Sequence, residues 1–297
     1  MDVRRIAVFG AGVMGAGIAQ DAAAHGIEVL LLDRDEQGLA HGRQKVEQSL
    51  DEELSRWGIT SSEKKVILSR IRFTLDRHDA AGVDVFIEAI PDDLAAKQNL
   101  FAELEKECES SFPGHTIYVS NTAVLPITDI AANMVNKDRL VGMHFLAPVP
   151  AIRLVEMVRG VCTSQETVDC AKQLAQRMGK TPVDVFENPG YITARLVVPL
   201  INAAIDLFEE GTATRENIDT AMQLGLGFNK GPFALADQIG LDIVLGWSEH
   251  LFHEMGDVHY RPQTMIRKLV REGNLGIKTG KGFYAYKTSA ERAEEKV

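Results

Sequence analysis

The sequence predicts an α/β protein of two domains, in which a mostly parallel sheet flanked by helices precedes an all-helical region. Three observations predict this architecture. Buried-type apolar runs alternate with helical stretches in the first half, a glycine-rich turn joins the first run to a helix, and only helical patterns follow Pro189. A chain of 297 residues, 45% of them hydrophobic, is long enough to bury two cores.

The composition argues against several classes of function. A net charge of −10 disfavours general binding to nucleic acid or to anionic membranes. No apolar run approaches the roughly 18 residues that span a bilayer, and the N-terminus leads directly into a strand, so we expect no membrane partner and no targeting segment. Cys108, Cys162 and Cys170 lack metal-type spacing, which predicts reduced thiols, no metal site and a cytoplasmic location. Residues 289–297 predict a frayed tail.

Residues 5–33 have the order strand, glycine turn, helix, strand. An apolar run at 5–9 leads into a turn with glycines at positions 10, 12 and 15, then a small-residue helix at 16–24 and a strand at 28–32 that ends at Asp33. A lone glycine motif is weak evidence. Because this one lies between a strand and a helix and is followed by an acid at the end of the next strand, it predicts a dinucleotide site.

Each part of this motif has a physical role. Gly10 permits the tight turn, Gly12 lets the backbone approach a pyrophosphate, and Gly15 lets helix and strand pack closely. The N–H groups of the helix N-terminus, beginning near Val13 and Met14, would face the phosphates. Asp33 would accept hydrogen bonds from ribose hydroxyls and repel a 2′-phosphate, which favours NAD over NADP. Arg34 could instead pair with a 2′-phosphate or lie over the adenine. The alternative is that the glycines serve only a tight turn.

The remainder of the first domain continues the alternation. We predict a charged helical insertion at 35–69, strands near 83–89 and 115–120, a helix at 93–108, and further apolar runs at 139–145 and 152–159. Asp92, Lys97, Asn121 and His144 fall just after predicted strand ends. Ligands of such sheets bind at the carboxyl ends of the strands, so these residues are candidates for the site.

Residues 142–159 hold one histidine, His144, and one acid, Glu156, on two apolar runs that Pro148 and Pro150 separate. The prolines predict two strands with a bend between them, which would bring the side chains together. An imidazole held by a carboxylate is a general base near neutral pH. A satisfied core histidine and a strand-end charge are the alternative.

The second domain is predicted to be helical, with helices at 190–210, 214–224, 233–255 and 262–272 that glycines punctuate. We therefore divide the chain into domains at 1–187 and 188–297.

Several segments in order resemble the 3-hydroxyacyl-CoA dehydrogenase family over essentially the whole chain. They are the turn 10–15, Ser120-Asn121-Thr122, His144-Phe145 with Pro148 and Pro150, Glu156, Pro189-Gly190-Tyr191, and the segments 231–237, 239–242, 260–262 and 276–284. The resemblance implies a Rossmann-like N-terminal domain, an all-α C-terminal dimerisation domain, a homodimer, and NAD-dependent oxidation of a hydroxyacyl thioester.

The resemblance also implies roles for single residues. His144 would be the catalytic base and Glu156 the carboxylate that orients it. Asp33, Asp92, Lys97 and Lys278 match positions that contact NAD, and Ser49 and Arg56 match positions that contact coenzyme A. The family typically has glutamate at Asp92 and lysine at Arg56. For Arg56, an ordinary solvated helix residue is the alternative.

Three polar positions of the family's active site are alanine here. Ala123 replaces a serine that bonds the substrate oxygen, and Ala147 and Ala194 replace asparagines. In one interpretation the enzyme takes a different alcohol, and Asn121, Thr122 or Thr193 supplies the contacts. In the other, the protein is a non-catalytic NAD-binding dimer. The retained dyad and cofactor motif favour catalysis.

One variant of the first interpretation is a hydroxyacyl group, such as glyceryl, carried on an acyl carrier protein in polyketide extender-unit synthesis. Acidic carrier proteins would need a basic patch on this acidic chain. The candidates are Arg43, Lys45, Arg56, Lys64, Lys65, Arg70 and Arg72. A solvated face of mixed charge is the alternative for most of them.

Overall fold

The computed structural model describes residues 3–109 and 116–286, without the side chains of residues 108 and 109. The Cys108 thiol, the first residue of the strand predicted at 115–120 and the tail predicted at 289–297 lie outside this range. The chain divides into two compact units, Met1–Tyr191 and Ile192–Val297. Within the described residues, no helix is long and apolar enough to cross a membrane.

The first unit is built on one eight-stranded sheet in the order β3-β2-β1-β4-β5-β6-β7-β8. All neighbouring strands are parallel except β6 and β7. The strands are β1 (Arg5–Phe9), β2 (Glu28–Leu32), β3 (Ile71–Thr74), β4 (Val85–Glu88), β5 (Ile117–Ser120), β6 (Leu140–Phe145), β7 (Leu154–Arg159) and β8 (Thr181–Phe186).

Helices cover this sheet, and side-chain caps begin several of them. Asp35 caps α2 by accepting from the Gly38 N–H, Thr60 and Glu63 form a capping box on α3, and Ser164 caps α6. The helices of the first unit are α1 (Val13–Ala24), α2 (Glu36–Ser55), α3 (Ser61–Ser69), α4 (Leu94–Glu109), α5 (Ile127–Ile130) and α6 (Gln165–Arg177).

The core of the first unit lies on both faces of the central strands. Every residue of β4, β5 and β6 is buried, as is all of β1 after its first residue. Such strands contain near-continuous apolar runs because both faces are covered. This pattern explains why the sequence predicted them.

The second unit is helical and packs around Phe233, which makes edge contacts with Phe208 and Phe283. Its helices are α7 (Thr193–Glu209), α8 (Arg215–Leu226), α9 (Pro232–Ile239), α10 (Leu241–Met255) and α11 (Thr264–Arg271). The single helix predicted at 233–255 was wrong. It is two helices, because Gly240 adopts a φ of 107°, which no helix accommodates.

Four elements of the first unit were not predicted: β3, β8, the short helix α5 and α6. The two strands are the edges of the sheet, where one side of the strand lacks a neighbour. β8 buries only one of its six residues and contains Pro182, so its apolar signal is weak. The fold class itself, a parallel sheet with helices followed by a helical domain, is confirmed.

Candidate active site

The glycine turn between β1 and α1 has the geometry that its spacing predicts. Gly10 has a φ of 103°, and a Cβ there would lie 2.7 Å from the Ala89 carbonyl oxygen. A Cβ on Gly15 would lie 1.7 Å from the Gly10 oxygen, so helix and turn touch directly. At Gly12, by contrast, an added Cβ meets nothing within 4 Å. Gly12 therefore faces open space, as a backbone that receives a ligand must.

The N-terminus of α1 at this turn is suited to an anion. Gly12 is its N-cap, no side chain caps the helix, and its first turn contains no acid. Val13 is 55% exposed. The N–H groups and the positive end of the helix dipole are thus available to a pyrophosphate.

Asp33 lies at the end of β2 beside the turn. Its Oδ2 accepts from the Ala11 N–H at 2.7 Å, and its Oδ1 accepts from the Arg34 N–H at 2.7 Å. The Arg34 guanidinium points elsewhere, to Asp35 at 3.2 Å, and is 86% exposed. The half-buried carboxylate retains acceptor capacity for ribose hydroxyls. Turn, helix and carboxylate together fit NAD.

A buried ionic cluster lies where β4 and β5 end. The Lys97 ammonium donates to Glu88 Oε1 at 2.5 Å and to the Ile90 carbonyl at 3.1 Å, and it pairs with Asp92 at 3.2 Å. Ser120 donates to the other Glu88 oxygen at 2.6 Å. Three acceptors therefore surround the ammonium of Lys97, which is fully buried.

The predicted placement of Lys97 and His144 just after strand ends was wrong. Lys97 lies in the first turn of α4, and His144 lies inside β6. The Lys97 side chain nevertheless reaches the end of β4, where its ammonium donates to Glu88. Asp92, in that loop, and Asn121, directly after β5, do lie at the carboxyl edge.

The prolines separate two strands, as predicted. The strands are antiparallel, and His144 is the direct register partner of Glu156. Imidazole Nδ1 lies 2.6 Å from Glu156 Oε2. Histidine is 4% and glutamate 0% exposed. The ionised carboxylate can only accept, so Nδ1 carries the proton and Nε2 the basic lone pair. Glu156 lies in the middle of β7, which argues against a mere strand-end charge.

The loop after β5 lies next to this pair. Asn121 Oδ1 accepts from the Phe145 N–H at 3.0 Å, which attaches the loop to the strand of His144. Thr122 Oγ1 accepts from the Leu125 N–H at 3.0 Å and thereby caps its own loop. Ala123 is buried, with its N–H 3.4 Å from Asp92 Oδ2. Asn121 therefore has its amide NH₂ to offer to a ligand.

Tyr191 belongs to this site, although the sequence argument gave it no role. Its ring centroid lies 5.9 Å from that of His144, and its hydroxyl donates to the Leu125 carbonyl at 2.9 Å. Burial, reinforced by nearby acids, raises the pKa of Tyr191 well above 10, so the hydroxyl stays neutral. Its φ of 48° is rare for a bulky residue, which marks a constrained position. Because the Tyr191 hydroxyl donates its proton to the Leu125 carbonyl, it does not take the place of the serine that the family typically has where Ala123 stands.

The remaining predicted positions are more dispersed. Ser49 is half-buried on α2, and Arg56 follows the same helix, 70% exposed and 3.6 Å from Glu52. Ala147 lies in the turn after β6. In the second unit, Ala194 is buried on α7, and the Lys278 ammonium binds Asp242 at 2.5 Å.

Most of the basic set proposed for a carrier protein has intramolecular partners. Arg43 lies over the Phe73 ring, Arg70 donates to the Ala23 carbonyl, and acidic partners hold three others. Those three are Arg56, Lys64 and Arg72, paired with Glu52, Asp51 and Asp79.

Comparison with known proteins extends these observations. The family model of the 3-hydroxyacyl-CoA dehydrogenase NAD binding domain matches residues 5–188, and the family model of the C-terminal domain matches residues 190–286. A probable 3-hydroxybutyryl-CoA dehydrogenase of Bacillus subtilis is 43% identical over 96% of this chain and 98% of its own length. Human mitochondrial hydroxyacyl-coenzyme A dehydrogenase is 41% identical over 96% of this chain and 92% of its own length. The crystal structure of (S)-3-hydroxybutyryl-CoA dehydrogenase from Ralstonia eutropha superposes with a TM-score of 0.84 at 36% identity, covering 97% of this chain and 100% of that one.

Proposed function

Because this chain belongs to the 3-hydroxyacyl-CoA dehydrogenase family, we propose that it is an NAD-dependent oxidoreductase that oxidises the hydroxyl group of a hydroxyacyl thioester of the 3-hydroxybutyryl-CoA type. The observation that carries the proposal is the buried contact of 2.6 Å between His144 and Glu156. A dyad of this kind supplies a base of fixed tautomer that can take up the hydroxyl proton released when an alcohol is oxidised.

The protein's own part in this reaction is proton transfer. NAD, when bound, supplies the hydride acceptor. His144 removes the hydroxyl proton onto Nε2 as the substrate carbon gives up its hydride. Glu156 keeps the other proton on Nδ1 and stabilises the imidazolium that forms, while its burial prevents water from weakening the attraction.

The cofactor contacts we propose follow from the fit of the turn. The backbone of Gly10, Gly12, Val13, Met14 and Gly15 would hold the pyrophosphate, and Asp33 the adenine ribose. Asp92 and Lys278 remain proposed contacts. For Lys97 we propose an indirect part, in which its buried ammonium orients Asp92.

The substrate contacts we propose start from Asn121. Its amide NH₂, beside the strand of His144, would donate to the reacting oxygen in place of the serine absent at Ala123. Removing one such donor from an active site typically costs about 10²–10³ in rate, so the pocket needs a substitute. Ser49 and Arg56 would meet the phosphate end of coenzyme A.

A carrier-protein thioester is the second candidate. Ala123 and Ala147 favour it, because they remove polar groups from the reacting end of the pocket. The basic residues argue against it, since most of those on the α2–α3 region already have intramolecular partners. The homodimer and the cytoplasmic location remain predictions from the sequence.

The deciding experiment is a substrate panel followed by NADH absorbance. It compares 3-hydroxybutyryl-CoA, longer 3-hydroxyacyl-CoA thioesters and a hydroxyacyl carrier protein. We expect turnover of a CoA thioester and a loss of about 10²–10⁴ for His144→Gln, with NADH affinity retained. Tight NADH binding without turnover of any thioester would instead indicate a non-catalytic NAD-binding dimer.

The same panel offers a binding readout independent of turnover. Trp57 follows Arg56 and is 94% exposed, whereas Trp247 is 7% exposed. Titration with coenzyme A should quench the fluorescence of Trp57 if Arg56 contacts bound coenzyme A. The matched control is Trp57→Phe, which should lose the response.

A further inference from the structure

Lys180, directly before the edge strand β8, has a buried ammonium that the proposed reaction does not use. Its side chain is 3% exposed. The ammonium donates to the Val149 carbonyl at 2.5 Å and to the Ile152 carbonyl at 2.9 Å, and it lies 3.0 Å from Asp21 Oδ2. Desolvating a lysine is costly unless its charge is compensated; here two carbonyl oxygens accept from the ammonium, and the Asp21 carboxylate opposes its charge.

The two carbonyls belong to the turn that joins β6 to β7. The two strands that this turn joins carry the dyad, since His144 on β6 and Glu156 on β7 are register partners. The next residue, Thr181, donates its N–H to the Arg153 carbonyl at 2.6 Å. Lys180 and Thr181 therefore hold the turn at three carbonyl groups.

The third partner of the ammonium, Asp21, lies on α1, the helix that begins at the glycine turn. It is 3% exposed. The same helix contacts the turn directly, because a Cβ added to Gly17 would lie 3.1 Å from Val149 Cβ. The pair of Asp21 and Lys180 thus connects the helix that would hold NAD to the hairpin that holds the base.

The sheet alone gives a longer connection between these two places. β4 and β5 lie between β1, which leads into the glycine turn, and β6, which carries His144. Three strand spacings amount to about 14 Å. The contact through Lys180 is a direct one, and displacements of about 1 Å between reacting groups can cost roughly 10²-fold in rate.

We propose that Lys180 is a positioning residue that fixes the hairpin of His144 and Glu156 relative to α1. The inference rests on the proposed function only for its kinetic consequence, since the geometry of the hairpin can be measured without turnover. A purely structural lysine would change stability and leave the dyad where it is.

The main variant is Asp21→Asn/Lys180→Met, which removes the ammonium without leaving a buried carboxylate unpaired. Breaking a buried pair by removing one partner costs about 3–5 kcal/mol, so Lys180→Met alone could fail to fold. The matched control is Lys172→Met/Asp184→Asn, an exposed pair that links α6 to β8 at 2.7 Å.

Three quantities are measured in each variant: NADH affinity, kcat with its primary deuterium isotope effect, and the low-field proton NMR signal of the bond between His144 Nδ1 and Glu156. Glu156→Gln assigns that signal by its loss. For the double variant we expect unchanged NADH affinity, kcat lower by about tenfold or more, a larger isotope effect, and a shifted or broadened signal. The control should match the wild type in all three.

Wild-type kcat and an unmoved signal in the folded double variant would overturn the proposal. If the wild type turns over no thioester, the proposed function fails, and the NMR signal alone decides the role of Lys180. If the double variant does not fold, Asp21→Asn, which preserves side-chain size, takes its place. For Asp21→Asn the proposal requires a fall in kcat of about threefold or more. If the wild type has no turnover, it requires a shift of the NMR signal instead. Wild-type values of both quantities refute the proposal.

Discussion

Replacing Glu156 by glutamine tests whether the carboxylate acts electrostatically on His144. The substitution keeps the size and burial of the side chain and removes its charge. The amide can accept from Nδ1 with its oxygen, which loses the attraction to the imidazolium. It can also turn its NH₂ toward Nδ1, which moves the basic lone pair away from Nε2. Both outcomes slow proton removal, so we expect kcat to fall.

The distance in the dyad sets the magnitude. Opposite unit charges separated by 2.6 Å attract by about 6 kcal/mol at an effective dielectric constant of about 20. Complete loss would correspond to between four and five powers of ten in rate, at about 1.4 kcal/mol per power. Because a neutral hydrogen bond retains part of the interaction, we expect a loss of about 10²–10⁴ in kcat.

The assay follows NADH formation under saturating substrate, with NADH affinity measured separately. The matched control is Glu105→Gln, because Glu105 is also a buried glutamate of the first unit, yet it binds the N–H groups of Val135 and Asn136, each at 2.6 Å. The control should lose stability and keep kcat. A kcat of Glu156→Gln within about threefold of the wild type would refute an electrostatic role for the carboxylate.

Three further predictions concern the cofactor turn and the buried pair. Gly12→Ala should unfold at the wild-type temperature, since the new methyl meets nothing within 4 Å. The same substitution should weaken NADH binding about tenfold or more. Unchanged NADH affinity would contradict a pyrophosphate at this turn. Asp33→Ala should raise the ratio of kcat/KM for NADP over NAD by about tenfold or more, and a constant ratio would count against a ribose contact. Burial raises the pKa of Asp21 above 3.8, with Lys180, His25 and Glu53 as its titratable neighbours. Folding therefore favours the protonated form of Asp21. The free energy of unfolding of the wild type should fall relative to that of Asp21→Asn as the pH rises from about 4 to about 6. Urea unfolding of both proteins at the two pH values measures this difference.

Much of the fold and part of the site could be predicted because their signals are local. The glycine turn and Asp33 occupy one continuous stretch, and each glycine's role follows from backbone sterics. The central strands were predicted because burial on both faces demands continuous apolar runs. The edge strands β3 and β8 escaped prediction because they bury less and carry a weaker signal.

The pairing of His144 with Glu156 was also predictable, since prolines between two apolar runs imply a hairpin. Whether the two side chains fall in direct register was not, because a slip of one residue would place them on opposite faces of the sheet. Tyr191 shows the same limit. Tyr191 lies against His144 in a left-handed backbone conformation, and no sequence pattern predicts that conformation.

By itself, the sequence determined the fold class, the family, the glycine turn and the presence of one histidine and one acid on two neighbouring apolar runs, because each depends on residues that are near neighbours along the chain. Only the tertiary structure decided that Lys97 is buried against Glu88, that Tyr191 lies against His144, and that Lys180 meets Asp21. Those contacts join segments far apart in the chain, and a lone charged residue carries no local sign of the partner that permits its burial.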